Sequence, residues 1–70
     1  MKEMAYRVFV DVWRLAAKYN FRKLDEEQWE RFIDDADYLY NRYKGTQVEN
    51  LYRELFMVVQ SLYERLEKGE

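Results

Sequence analysis

The 70-residue chain has no cysteine, no histidine and no proline, and it has only two glycines. Without cysteine there can be no disulfide, and without cysteine and histidine the best zinc and di-iron ligands are missing. Apolar runs are only a few residues long, whereas a membrane-spanning helix needs about 20 apolar residues. We therefore expect no cofactor, no metal site and no membrane segment. The absence of cysteine is compatible with a cytoplasmic protein.

The missing histidine also bears on catalysis. Ser61 and Thr46 have no imidazole that could act as their general base. Carboxylate pairs would need a pocket that separates their pKa values, and no glycine-rich phosphate loop is present. We therefore predict no catalytic residue, no enzymatic activity and no small-molecule substrate.

Large side chains at helical spacing dominate the chain, which has two Trp, seven Tyr and four Phe. Their periodicity predicts helices over residues 3–19, 26–44 and 47–67. Asp25 with Gln28, and Thr46 with Glu49, have the spacing of capping boxes that start the second and third helices. Asn20 suits a left-handed residue at the end of the first helix. Short links between long helices predict one all-α domain over residues 1–70, an antiparallel up-down-up three-helix bundle.

The first helix is apolar around about 240° of its circumference, roughly twice what one-sided packing requires. Only a thin polar stripe interrupts it between Met4 and Tyr19, formed by Arg7, Asp11, Arg14 and Lys18. One flank should therefore remain uncovered by the other two helices. We predict a partner interface on that flank, formed by Tyr6, Val10, Trp13 and Ala17.

The middles of the three apolar arcs predict the core. The expected core residues are Phe9, Val12, Trp13, Ala16, Trp29, Phe32, Ile33, Ala36, Leu39, Leu55, Val59 and Leu62.

Charge is unevenly distributed along the chain. Residues 1–24 carry six basic and two acidic side chains, whereas residues 25–45 carry three basic and seven acidic ones. One outer face of the second helix is predicted to hold Glu27, Glu30, Asp34, Asp37 and Tyr38. This face is either an ordinary solvated surface or an acidic docking face, since carboxylates along one helix do not converge on a cation. The basic residues form no dominant face, which argues against nucleic acid as a partner.

The order of apolar and charged residues resembles a known group of proteins. The matching positions are Phe9-Val10, Val12-Trp13, Trp29, Ala36-Asp37 leading to Tyr43, Val58-Val59, Leu62 and Glu64-Arg65. The pattern is similar to small uncharacterised helical proteins encoded by phages and mobile elements of Gram-positive bacteria. The resemblance implies a small accessory or counter-defence protein that acts by binding other proteins.

Together these observations predict a non-enzymatic helical interaction module that forms a homodimer or docks on a protein partner. One alternative is an acidic inhibitor of a nucleic-acid-handling protein, in which the second helix imitates phosphates. Another is a weak DNA-contacting regulator that would use Arg14, Lys18, Arg22 and Lys23.

Overall fold

The computed structural model describes residues 1–69 and contains three helices. Helix α1 spans Lys2–Lys18, α2 spans Glu26–Tyr43 and α3 spans Glu49–Glu67. Each helix packs against the other two. The predicted three-helix bundle is confirmed.

Side-chain contacts fix the direction of each helix. Along α1, Asp11 contacts Tyr43 and Lys18 contacts Asp35, so α1 and α2 run antiparallel. The α2–α3 contacts run in opposite order too, because Ala36 accepts a hydrogen bond from Tyr52 while Phe32 stacks on Phe56. Consequently α1 and α3 are parallel, which gives the up-down-up order.

The start of α2 has the predicted capping box. The Gln28 amide donates to the Asp25 carboxylate at 2.7 Å, and the Asp25 amide donates to the Gln28 side chain at 3.1 Å. These two bonds satisfy backbone donors that the first turn of a helix leaves unpaired.

The capping box predicted at Thr46 and Glu49 is wrong. Helix α3 begins at Glu49, with Val48 as its N-cap and no side-chain cap. The Thr46 hydroxyl instead donates to the Tyr43 carbonyl at 2.6 Å, and the Glu49 carboxylate accepts from the Gly45 amide at 2.9 Å. Thr46 therefore closes the end of α2, and the fully buried Val48 fixes the entry into α3.

Five of the predicted core residues are confirmed as buried, while Trp29, Leu39, Leu55 and Leu62 are half-buried. The confirmed residues are Val12, Ala16, Phe32, Ala36 and Val59. Phe9, Trp13 and Ile33 were wrongly assigned to the core, because all three are exposed. The remaining buried apolar residues are Val8, Leu15, Tyr19, Leu24, Tyr43, Val48, Tyr52 and Tyr63.

The polar stripe of α1 explains the error at Phe9 and Trp13. Asp11 receives hydrogen bonds from Tyr43 and Arg42, and Lys18 pairs with Asp35, so the stripe borders α2. The centre of the apolar arc consequently turns away from the bundle. Val8 and Leu15 take the core positions instead.

Candidate functional site

Polar contacts join α1 and α2. Lys18 Nζ lies 2.8 Å from the Asp35 carboxylate, and the Tyr19 hydroxyl donates to the same carboxylate at 2.7 Å. Burial on its own would raise the pKa of Asp35, but the hydrogen bonds from Lys18 and Tyr19 outweigh it and hold that pKa below its usual value. At the other end Arg42 pairs with Asp11 at 3.2 Å. These groups are matched within the chain and leave little for a partner.

The opposite flank of α1 carries large apolar side chains in solvent. Tyr6 is 70% exposed, Phe9 54% and Trp13 63%. They follow one another at steps of three and four residues and so share one side of the helix. Phe21 and Val58 are exposed as well. We call these five residues the aromatic face.

Val58 belongs to this face because of its position on α3. Phe56 packs against α2, and Val58 lies two residues further, about 160° around the helix, so it lies on the side of α3 that faces away from α2. The Tyr63 hydroxyl reaches the Ala16 carbonyl, so residues seven positions earlier, Phe56 and Phe9, lie at the same level of the two parallel helices. Val58 therefore lies between the levels of Phe9 and Trp13.

Two residues with a left-handed backbone conformation, Asn20 and Phe21, lie at the end of the aromatic face. Asn20 has φ +59°, the predicted left-handed conformation, and Phe21 has φ +54° as well. Such a φ is a genuine outlier for a bulky residue and costs about 1–3 kcal/mol. The Phe21 amide donates to the Tyr63 hydroxyl at 3.1 Å, and the two rings stack at 6.2 Å. Tyr63 thus holds Phe21 with its ring 5.9 Å from that of Trp13.

The predicted interface and the aromatic face overlap only in part. Tyr6 and Trp13 belong to both sets and are exposed. Val10 and Ala17 belong only to the predicted interface and are half-buried. Sequence reasoning missed Phe9, Phe21 and Val58 as surface residues. Phe9 had a usable signal, because it lies three residues from Tyr6 and four from Trp13.

Basic side chains border the aromatic face. Arg7 and Arg14 belong to the polar stripe of α1 and lie beside Tyr6 and Val10, and Arg22 and Lys23 follow Phe21 in the chain. All four are exposed, and none forms an ion pair with another residue of the range 1–69. Glu3 also lies beside Tyr6, so the charges around the aromatic face are mainly, though not entirely, positive.

The carboxylates predicted on α2 are exposed. Glu27 pairs with Arg31 at 2.6 Å, whereas Glu30, Asp34 and Asp37 form no ion pair within the described part of the chain. Tyr38 is also exposed, and the Arg42 guanidinium lies 5.5 Å from its ring centre. Among residues 1–69 no three acidic side chains are grouped as metal ligands.

A groove of about 310 Å³ runs between α2 and α3 beside these carboxylates. Ile33, Phe56 and Met57 supply its apolar surface, and Asp37 lies in its wall. Arg53 also lines the groove, where it donates to the Tyr40 hydroxyl at 2.8 Å and pairs with Glu49 at 3.8 Å. We call this surface, together with Glu30 and Asp34, the acidic groove.

Comparison with protein families, with curated proteins and with solved structures found no match to this chain. Over the described residues, no helix has both the length and the apolar character needed to cross a bilayer. The two exposed surfaces, the aromatic face and the acidic groove, are therefore the candidate functional sites.

Proposed function

We propose that this protein is a non-enzymatic helical interaction module that self-associates through its aromatic face. The observation that carries the proposal is the exposure of Tyr6, Phe9 and Trp13 on one side of α1. These three side chains expose on the order of 400 Å² of aromatic surface. Patches of that size on soluble proteins are often binding sites.

The remaining residues bring this surface toward the size of a protein interface. Phe21 and Val58 extend the patch, and the basic edge provides a polar rim. A standard interface takes about 800 Å² from each partner. Tyrosine and tryptophan are well suited as anchors, since they bury a large area and lose little side-chain entropy.

On the basis of the resemblance to small phage and mobile-element proteins, we propose that the module acts as a cytoplasmic accessory protein. The third function considered from the sequence, a DNA-contacting regulator, is not proposed. Lys18, one of its four basic residues, already pairs with Asp35.

The acidic face of α2 supports a second candidate function, an inhibitor that imitates phosphates toward a nucleic-acid-handling protein. The observation in its favour is that Glu30, Asp34 and Asp37 are exposed and lack ion-pair partners among residues 1–69. Binding to a basic protein that falls steeply with salt would support it.

Sedimentation velocity on the purified chain tests the main proposal. We expect self-association at micromolar concentrations, and we expect Trp13→Ser to weaken it about tenfold or more, because it removes the central anchor. Tyr38→Ser is the matched control, since Tyr38 is a similarly exposed aromatic residue on the outer side of α2. A wild-type chain that stays monomeric at high micromolar concentration would refute self-association, as would equal effects of the two substitutions.

A further inference from the structure

We propose that the aromatic face of one copy docks in the acidic groove of a second copy. This inference rests on the proposed self-association and names the surface that the aromatic face contacts. The resulting contact joins two different surfaces of the same chain.

Charge complementarity selects the acidic groove as the docking surface. Arg7, Arg14 and the Arg22–Lys23 pair border the aromatic face without carboxylate partners in the described chain. Glu30, Asp34 and Asp37 border the acidic groove without cationic partners there. Docking one surface on the other brings these sets together, whereas packing the aromatic face on itself would leave the carboxylates unused. Opposite potentials steer two surfaces together and disfavour wrong pairings.

The apolar parts of the two surfaces also suit each other. The acidic groove presents Met57, which is 66% exposed, beside Ile33 and Phe56. Methionine is flexible and polarizable, and it makes favourable contacts with aromatic rings. The groove volume of about 310 Å³ is at the lower end of ligand-pocket sizes, so it has room for an inserted side chain. Trp13, at the middle of the aromatic face, is the side chain we place there.

The two surfaces lie on different sides of α3, because the adjacent residues Met57 and Val58 belong to one each and are about 100° apart around the helix. A copy that uses its aromatic face therefore keeps its acidic groove free for another copy. Such a head-to-tail contact either closes into a ring or continues as a chain of copies. Assembly beyond a dimer follows directly from this geometry.

The test uses one variant that blocks each surface. Trp13→Ser removes the anchor of the aromatic face, and Met57→Lys adds a cation to the acidic groove, where it repels the basic edge. Both residues are exposed on helices, so both variants should keep the wild-type circular dichroism. Gln47→Lys is the control for the added charge, since Gln47 is exposed in the connection between α2 and α3 and belongs to neither surface.

We expect each blocked variant to be monomeric alone in sedimentation velocity, and their equimolar mixture to form a 1:1 dimer and nothing larger. Wild type and Gln47→Lys should assemble beyond a dimer, and less so at high salt. If Met57→Lys associates as wild type does and mixing adds no dimer, the acidic groove is not the docking surface, while self-association through the aromatic face stands. If the wild type is monomeric, both proposals fail.

Discussion

At the scale of single residues, the core predicted from the sequence left out four tyrosines that are buried in the structure. Tyr19, Tyr43, Tyr52 and Tyr63 are all buried. Each hydroxyl donates to an acceptor inside the chain: Asp35, Asp11, the Ala36 carbonyl and the Ala16 carbonyl, respectively. Such a partner offsets the free-energy cost of burying the tyrosine hydroxyl. The partner lies on another helix in every case, so sequence spacing alone does not reveal it.

The Tyr63 hydroxyl makes two hydrogen bonds to the backbone around the end of α1. It donates to the carbonyl of Ala16, which is among the last four of α1 and has no partner within the helix. It also accepts from the Phe21 amide. We expect Tyr63→Phe to lower the free energy of unfolding in urea by about 1–3 kcal/mol, since it leaves backbone groups unpaired in a buried site.

The control for this prediction is Tyr6→Phe, which removes a hydroxyl from an exposed ring. That change should alter stability by less than about 0.5 kcal/mol. Amide exchange at Phe21 should also become faster in Tyr63→Phe. Equal stability of the two variants would show that Tyr63 does not hold the α1–α2 connection.

At the scale of the helices, the two predicted capping boxes turned out differently. Asp25 and Gln28 exchange two hydrogen bonds, so Asp25→Ala should reduce stability by about 0.5–2 kcal/mol. The Thr46 hydroxyl instead donates to the Tyr43 carbonyl and accepts from the Val48 amide at 3.3 Å, and Thr46→Ala should cost less, because the Gly45 amide keeps its bond to Glu49. Amide exchange should rise at the start of α2 in Asp25→Ala but at Val48 in Thr46→Ala.

A Thr46→Ala variant in which the Glu49 amide, rather than the Val48 amide, exchanges faster would restore the capping role predicted from the sequence. The comparison separates the two assignments because they protect different amides.

The sequence was sufficient to predict the elements but not the rotation of each helix about its axis. Periodicity and caps located α2 to within one residue at its C-terminal end, because its apolar stripe is narrow. On α1 the apolar arc is so wide that its centre does not mark the core. The rotation is set by contacts with other elements, such as Asp11 with Tyr43 and Lys18 with Asp35. For this reason Trp13 could be predicted both as core and as interface, and only its 63% exposure in the folded chain decides for the surface.

At the scale of the whole molecule, the three sides of the bundle differ in chemistry. The α1–α2 side is polar and internally paired, the α1–α3 side carries the aromatic face, and the α2–α3 side carries the acidic groove. The charge imbalance between residues 1–24 and residues 25–45 places opposite charges beside the two apolar surfaces. A chain this small has a limited core of its own, and covering those surfaces would add apolar burial to it.

The buried tyrosines also give the whole molecule a defined response to alkaline pH. Burial raises the pKa of Tyr52 to about 12, and burial is likewise the main reason that the pKa values of Tyr19, Tyr43 and Tyr63 are raised. Below the ordinary value of 10 these groups are protonated in both states and do not affect stability. Above it the unfolded chain loses protons that the folded chain retains, so the free energy of unfolding must fall as pH rises. We expect a steep loss of helical circular dichroism between about pH 10 and pH 12.

Tyr52→Phe isolates the contribution of this one tyrosine to the alkaline loss of stability. At pH 7 the variant should be about 0.5–1.5 kcal/mol less stable, because it loses the bond to the Ala36 carbonyl. Its stability should then fall less steeply with pH above 10 than that of the wild type, since one linked proton has been removed. Tyr6→Phe, at an exposed position, should retain the wild-type slope. Identical slopes in all three proteins, measured by urea denaturation at a series of pH values, would show that ionisation of Tyr52 is not linked to unfolding.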